Sequence, residues 1–391
     1  MNNYNLSDVC QFLKNAVISQ TPDNFTVADK FKHGLSDDEL KAGITSFRLF
    51  LYKLFDTLSA NKDNIDVKTA TKYNPKPGES DGGSIHKHFP MINELAMILY
   101  AIAYHGRLET TPKRELVLTG SDMLLPLPPK SETRYSISKM TSKRKMELFD
   151  FLSDVGFYFE EANFTEEIEL ANTGTFYVQY DHDDFLPVGM KLLAEAQANI
   201  KANDYKFTTA FMRGDFYPLA NHKPQAQAVY FKQYVNTQPP EITQWLSNIN
   251  KLMIDNNCRV NGETINFGCG AYFIYTSRKS KQKICKIEMG VAGCTIQLWG
   301  NHFAITGDIL AGIPEVASMP ASMKSIVKNG RSCGACASND LNFSHCKHGG
   351  AYKYTIDGKH YERCRFDNFR FQIDDAKERE LLEKWIKMEL R

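Results

Sequence analysis

PPEITQWLSNINKLMIDNNCRVNGETINFGCGAYFIYTSRKSKQKICKIEMGVAGCTIQLW, residues 239–299, is the stretch that decides the fold class of this chain. After the two prolines, apolar residues recur at helical spacing at Ile242, Trp245, Leu246, Ile249, Leu252 and Met253. Four strand-like segments follow at 264–267, 271–276, 283–289 and 295–299, and a polar hairpin turn at 277–282 joins the second to the third. A helix followed by consecutive strands predicts a small α+β domain with an antiparallel sheet.

By this order of elements, residues from about 230 to about 310 resemble small bacterial domains of unknown function in the frataxin-like iron-chaperone superfamily. The resemblance covers roughly 80 residues. It implies a small sheet domain and brings no catalytic residues with it, because these families have no diagnostic ones.

The sequence on either side predicts a modular α+β chain of four domains. Residues 1–125 are mainly helical, with capping-box spacing at Ser36 and Glu39 and a second helix over 91–105 that ends at Gly106. Residues 130–222 are a mixed α/β domain with strands at 157–160 and 175–181, a helix over 185–201, and a strand within 207–219. Residues 225–312 are the small sheet domain, and 313–391 are a tail of hairpins and a final helix capped by Asp374 or Asp375.

Composition excludes several classes of protein. The chain has 391 residues, and its 47 basic and 46 acidic residues give a net charge of +1, which argues against a chain-wide field for nucleic acid. Its high aromatic content argues against global disorder. The longest apolar run, 94–104, is too short to span a bilayer, and the start of the chain does not resemble a secretory signal. We therefore expect a soluble cytoplasmic protein without a membrane partner.

Four of the nine cysteines crowd into the tail with the spacing C-x2-C-x9-C-x17-C: Cys333, Cys336, Cys346 and Cys364. A C-x2-C turn lets two thiolates converge on one ion, and two further thiolates complete a tetrahedron. In a chain without an export signal, such a cluster favours metal ligands over disulfides. The sequence predicts a structural zinc that staples the tail, so that loss of Cys364 would loosen residues 331–391.

Alternatives to this zinc site stay open. His348, or less easily His345, could replace a thiolate. The four cysteines could instead be plain reduced thiols, a redox switch or an iron–sulfur ligand set.

Two basic stretches are candidate nucleic-acid contacts. The first, 130–145, contains six Lys or Arg residues and one acid, and the second, 278–286, occupies a predicted hairpin. Charge runs are usually solvated, and a charged hairpin tip also discourages edge pairing. Nucleic acid is therefore a possible but not a favoured partner.

Three smaller motifs have a functional and a structural interpretation. The acids and histidine of 181–184 suggest a metal or acid–base site, but acids before a helix are also expected from its dipole. His86 and His88, with Asp81, are an isolated pair in a Pro- and Gly-rich loop, and His302 is expected to pack at the end of the sheet. Arg213 and Asp215 form an RGD triplet, for which we reject an adhesion role because nothing else suggests an extracellular protein.

The sequence thus favours a non-enzymatic binding or regulatory module with one structural zinc. An enzyme with an interdomain site that uses acids and histidines of loops 74–90 and 181–184 is the first alternative. A nucleic-acid-associated protein that uses the two basic stretches is the second.

Overall fold

A computed structural model describes residues 5–18, 21–61, 90–127, 137–162, 170–199, 210–220, 226–265, 270–291, 293–299, 320–328, 351–356, 359–364 and 369–390. The helices in these ranges are α1 (Leu6–Ala16), α2 (Asp37–Ala60), α3 (Pro90–His105), α4 (Ser142–Asp154), α5 (Leu186–Ala198), α6 (Ala226–Val235), α7 (Pro240–Asp255), α8 (Ala321–Lys328) and α9 (Ala376–Glu389). The strands are β1 (Arg107–Glu109), β2 (Glu115–Thr119), β3 (Phe157–Glu160), β4 (Thr175–Tyr180), β5 (Cys258–Ile265), β6 (Gly270–Ser277), β7 (Lys283–Gly290), β8 (Gly293–Leu298), β9 (Ala351–Ile356), β10 (Lys359–Cys364) and β11 (Phe369–Gln372). The predicted α+β class is confirmed.

The structure groups the chain into two compact units, Met1–Gln233 with Glu263–Gly270, and Tyr234–Gly262 with Ala271–Arg391. The sequence predicted four domains instead. Segments 1–125 and 130–222 share a core because α5 packs against both α2 and α3. Segments 225–312 and 313–391 share a sheet because β11 pairs with β8.

In the first unit, α2 is the central helix and begins where the sequence predicted. The Ser36 side chain accepts a bond from the Glu39 amide, and the Glu39 carboxylate accepts one from the Ser36 amide. The Glu39 carboxylate accepts hydrogen bonds from the Ser36 amide, from Arg114 and from the Ser36 hydroxyl, and these lower its pKa to about 2. A four-stranded sheet in the order β1-β2-β4-β3 completes the unit, and its pairs are antiparallel.

A pair of glycines lets α2 and α5 approach closely. A Cβ on Gly43 would lie 2.8 Å from the Gly189 amide nitrogen, and a Cβ on Gly189 would overlap the Gly43 carbonyl oxygen. The helices therefore touch backbone to backbone at this crossing.

The strand predicted within 207–219 is wrong for the described part, residues 210–219. The chain there forms a helical turn, a left-handed residue at Gly214 (φ +61°) and a 3-10 turn at Tyr217–Leu219, and only Ala220 makes an isolated bridge, to Val27. Its apolar side chains are buried, as the strand hypothesis required, but they contact several helices rather than one side of a sheet. Phe211, for example, packs against Phe47 of α2 and Tyr100 of α3.

The second unit contains a five-stranded sheet in the order β11-β8-β7-β6-β5. One buried row runs across three strands of this sheet. In it, Cys285 of β7 pairs with Leu298 of β8, and Leu298 pairs with Phe369 of β11. Trp385 of α9 packs on this side, with ring centroids 5.1 Å from Phe369 and 5.7 Å from Phe371. The predicted α7, the turn at 277–282 and the Asp375 cap of α9 are all present.

The first strand of this sheet starts at Cys258, six residues before the predicted start at 264. The segment CRVNGETI is too polar to resemble a buried strand. It is tolerated because β5 lies at the edge of the sheet, where polar residues are common.

Candidate functional site

Cys364, the one predicted zinc ligand within the described ranges, is the last residue of β10. Cys333, Cys336 and Cys346 lie outside the described residues, as do the alternative ligands His345 and His348. The structure therefore places the backbone of one of the four predicted ligands.

The register of the β9–β10 hairpin determines where Cys364 lies along it. Ile356 pairs with Lys359 next to the turn, and Cys364 pairs with Ala351 at the open end. Ala351 directly follows the segment that holds the other three cysteines. Cys346 is five residues before Ala351 and so within about 18 Å of it along an extended chain. The hairpin thus places the backbone of Cys364 opposite Ala351, the residue at which the cysteine-rich segment ends.

Four other cysteines in the described residues, Cys10, Cys258, Cys285 and Cys294, are free and buried. Burial, and to a lesser extent the charge of Asp56, raises the pKa of Cys10 to about 12. Burial also raises the pKa values of Cys285 and Cys294 well above their ordinary range. These thiols are poor nucleophiles and poor metal ligands, since both roles need the thiolate.

Within the described ranges, no three histidine, cysteine or acidic side chains gather closely enough to hold a metal ion. Asp183 in the 181–184 motif accepts a hydrogen bond at 2.8 Å from the Phe185 amide, just before α5. His182 is exposed, and its ring lies 5.2 Å from that of Tyr180. These contacts fit the structural interpretation of the motif.

Two basic residues in the described half of the first stretch, Arg144 and Lys145, are ion-paired or buried. Arg144 lies 2.6 Å from Glu94 and 3.0 Å from Glu147. Lys145 is buried, which lowers its pKa. Residues 130–136 lie outside the described ranges, so these contacts concern the second half of the stretch.

Most basic side chains of the second stretch, by contrast, are exposed. Arg278, Lys279, Lys281 and Lys283 are exposed at and beside the hairpin turn between β6 and β7. Lys286 follows on β7, with its Nζ 4.4 Å from the centroid of the Tyr272 ring. Lys283 has its Nζ 5.5 Å from the ring of Trp299.

The RGD triplet is part of the core. The side chains of Arg213 and Asp215 are 1% and 0% exposed, and they pair with each other at 3.5 Å. The Asp215 carbonyl accepts a bond from Gln197, and the Arg213 carbonyl accepts one from the Ile18 amide. An adhesion role is excluded because neither side chain can reach a receptor.

Asp81, His86, His88 and His302 lie outside the described residues.

Sequence reasoning missed a chain of ionisable groups between a loop and two helices. His33 lies 2.7 Å from Glu195, Glu195 lies 3.1 Å from Lys191, and the Lys191 ammonium donates to the Tyr104 carbonyl at the end of α3. Burial opposes ionisation of Glu195, but the bond from His33 and the charge of Lys191 outweigh it and lower its pKa. The spacing of Lys191 and Glu195 was a usable signal, whereas His33 is 162 residues away.

No family model, no curated protein and no solved structure matches this chain. The frataxin-like resemblance of residues 230–310 therefore stays a prediction. Among the described helices, none combines the length and the apolarity needed to cross a membrane.

Proposed function

We propose that this chain is a non-enzymatic binding or regulatory protein of the cytoplasm, with a structural zinc held by Cys333, Cys336, Cys346 and Cys364. The observation that supports the proposal is the hairpin register, which pairs Cys364 with Ala351 at the end where the cysteine-rich segment enters. Four thiolates would fill the coordination sphere and leave no open position for a substrate. The metal would therefore hold the fold rather than act on a ligand.

The enzyme alternative gains no comparable support. Of its two loops, residues 74–89 of the first lie outside the described residues, and Asp183 of the second accepts a hydrogen bond from the Phe185 amide ahead of α5.

Elemental analysis of the full chain, produced in zinc-containing medium, tests the proposal. Wild type should carry about one zinc per chain, because the four clustered thiolates define one site. Cys364→Ser should lose most of the metal, whereas Ser338→Ala, two residues after Cys336 in the sequence, should keep it.

Two other variants sharpen the result. His348→Ala should keep zinc if all four ligands are thiolates, and loss of zinc in this variant together with retention in Cys364→Ser would assign the fourth position to His348. Cys285→Ser, which changes a buried thiol of the sheet, should not alter the zinc content. A reduced, folded wild type without metal, or with an iron–sulfur absorption spectrum, would overturn the proposal.

A further inference from the structure

The five-stranded sheet has a polar side opposite the row that packs against α9. On it, Lys286 of β7 pairs with Gln297 of β8, and Gln297 pairs with Arg370 of β11. The next row joins Glu288 to Thr295 and Thr295 to Gln372. Lys286 and Arg370 are 22% and 28% exposed, so solvent reaches both charges.

This polar side has an excess of positive charge. Lys286 and Arg370 share one carboxylate, with nitrogens 3.1 Å and 3.3 Å from the same Glu288 oxygen. The adjoining turn, SRKSKQK at 277–283, has four basic residues and no acid. The positive charge therefore continues from the sheet surface to the hairpin tip.

Two aromatic rings lie within this charged surface. Tyr272 and Trp299 are half-buried, and a lysine ammonium lies over each, at 4.4 Å and 5.5 Å from the ring. Aromatic faces next to cations form the surface on which unpaired bases stack while phosphates meet lysine and arginine. A duplex hides its bases and offers no faces for such stacking.

We infer that this polar side, with the 277–283 turn, binds single-stranded nucleic acid. Bases stack on Tyr272 and Trp299, and Lys286, Arg370 and the basic residues of the turn contact the phosphates. The site is independent of the zinc proposal, since none of these residues belongs to the cysteine cluster.

Fluorescence polarisation of a labelled oligothymidylate of about 15 nucleotides with the full chain tests this inference. Tyr272→Ala and Trp299→Ala should each weaken binding about tenfold, which is the scale of one lost base stack. Tyr272→Phe should bind almost like wild type, because it keeps the ring. Lys279→Ala with Lys281→Ala should reduce the slope of log affinity against log salt by about 0.7 for each lost phosphate contact.

Lys387→Ala is the matched control, since this lysine is about half exposed and lies on α9, against the opposite side of the sheet. It should leave affinity and salt slope unchanged. The melting temperature of each variant is measured alongside, so that a folding defect is not counted as lost binding. No binding by wild type at low salt, equal affinity for a duplex of the same length, or full affinity in the double variant of Tyr272 and Trp299 would each overturn the inference.

Discussion

At the residue scale, the contact between Gly43 and Gly189 sets how closely α2 and α5 approach each other. Both positions lie inside helices, where glycine is unfavourable by about 1 kcal/mol relative to alanine. The helix crossing offsets this cost, because any side chain at either position would push α2 and α5 apart. Glycine at position 189 is thus required by the contact with α2, although it is unfavourable for α5 itself.

We predict that Gly189→Ala destabilises the first unit by about 1–3 kcal/mol or more, the range for overpacked core sites. Gly174→Ala is the control, because its Cβ would meet no heavy atom within 4 Å and its φ is not left-handed. The control should change stability by less than about 1 kcal/mol, if anything upward. Urea titration followed by circular dichroism measures both, and equal stability of the two variants would contradict the prediction.

At the element scale, β11 and α9 belong to the core of the second unit and not to a separate tail. Phe369 and Phe371 of β11 face β8 and contact Trp385. These residues gain their stability from apolar burial on the shared sheet, which no metal has to supply. We therefore expect loss of Cys364 to loosen a smaller part of the chain than 331–391.

We predict that Cys364→Ser increases protease cleavage within 331–364 and leaves 369–390 protected. Limited proteolysis with mass spectrometry locates the cuts. The variant Trp385→Ala provides the contrast, since it removes a fully buried ring and should expose 369–390 at a cost of about 3–5 kcal/mol. Early cleavage within α9 of the Cys364→Ser variant would show that the metal supports the whole tail.

The elements that the sequence predicted well have their signals close together along the chain. The Ser36–Glu39 box marked the start of α2, and the polar turn at 277–282 marked the β6–β7 hairpin. The segment around Arg213 was missed because the Phe and Tyr residues that flank the RGD triplet resemble a strand. The contacts that bury the segment come from residues as distant as Ile18, Phe47 and Gln197. The cysteine spacing predicted a ligand set because its members lie close together in the sequence. The pairing of His33 with Glu195 could not be predicted in this way, because 162 residues separate them.

At the scale of the whole molecule, eight of the nine cysteines fall into two groups, and the ninth, Cys269, lies outside the described residues. Cys10, Cys258, Cys285 and Cys294 are spread over both units and are buried. The four clustered cysteines of the tail are the proposed zinc ligands. A single experiment on the intact chain can therefore separate structural thiols from metal-bound ones.

We predict that a thiol reagent modifies the four buried cysteines only after unfolding, because burial limits access and keeps the thiols protonated. A zinc chelator added to the native protein should make about four further thiols reactive, one for each proposed ligand. Mass spectrometry of labelled peptides assigns the sites. Rapid labelling of Cys285 or Cys294 in the native chain would contradict the structure of the sheet core.

The buried loop at 210–217 constrains how the chain can change over evolution. Its carbonyls accept hydrogen bonds from the Ile18 amide and from the Gln197 side chain, and there is no room beside Arg48 for a side chain at position 214. Irregular segments normally tolerate insertions and deletions, but one added residue here would shift the Arg213 carbonyl away from its partner. Descendants of this gene should therefore keep the length of this loop as strictly as that of a helix.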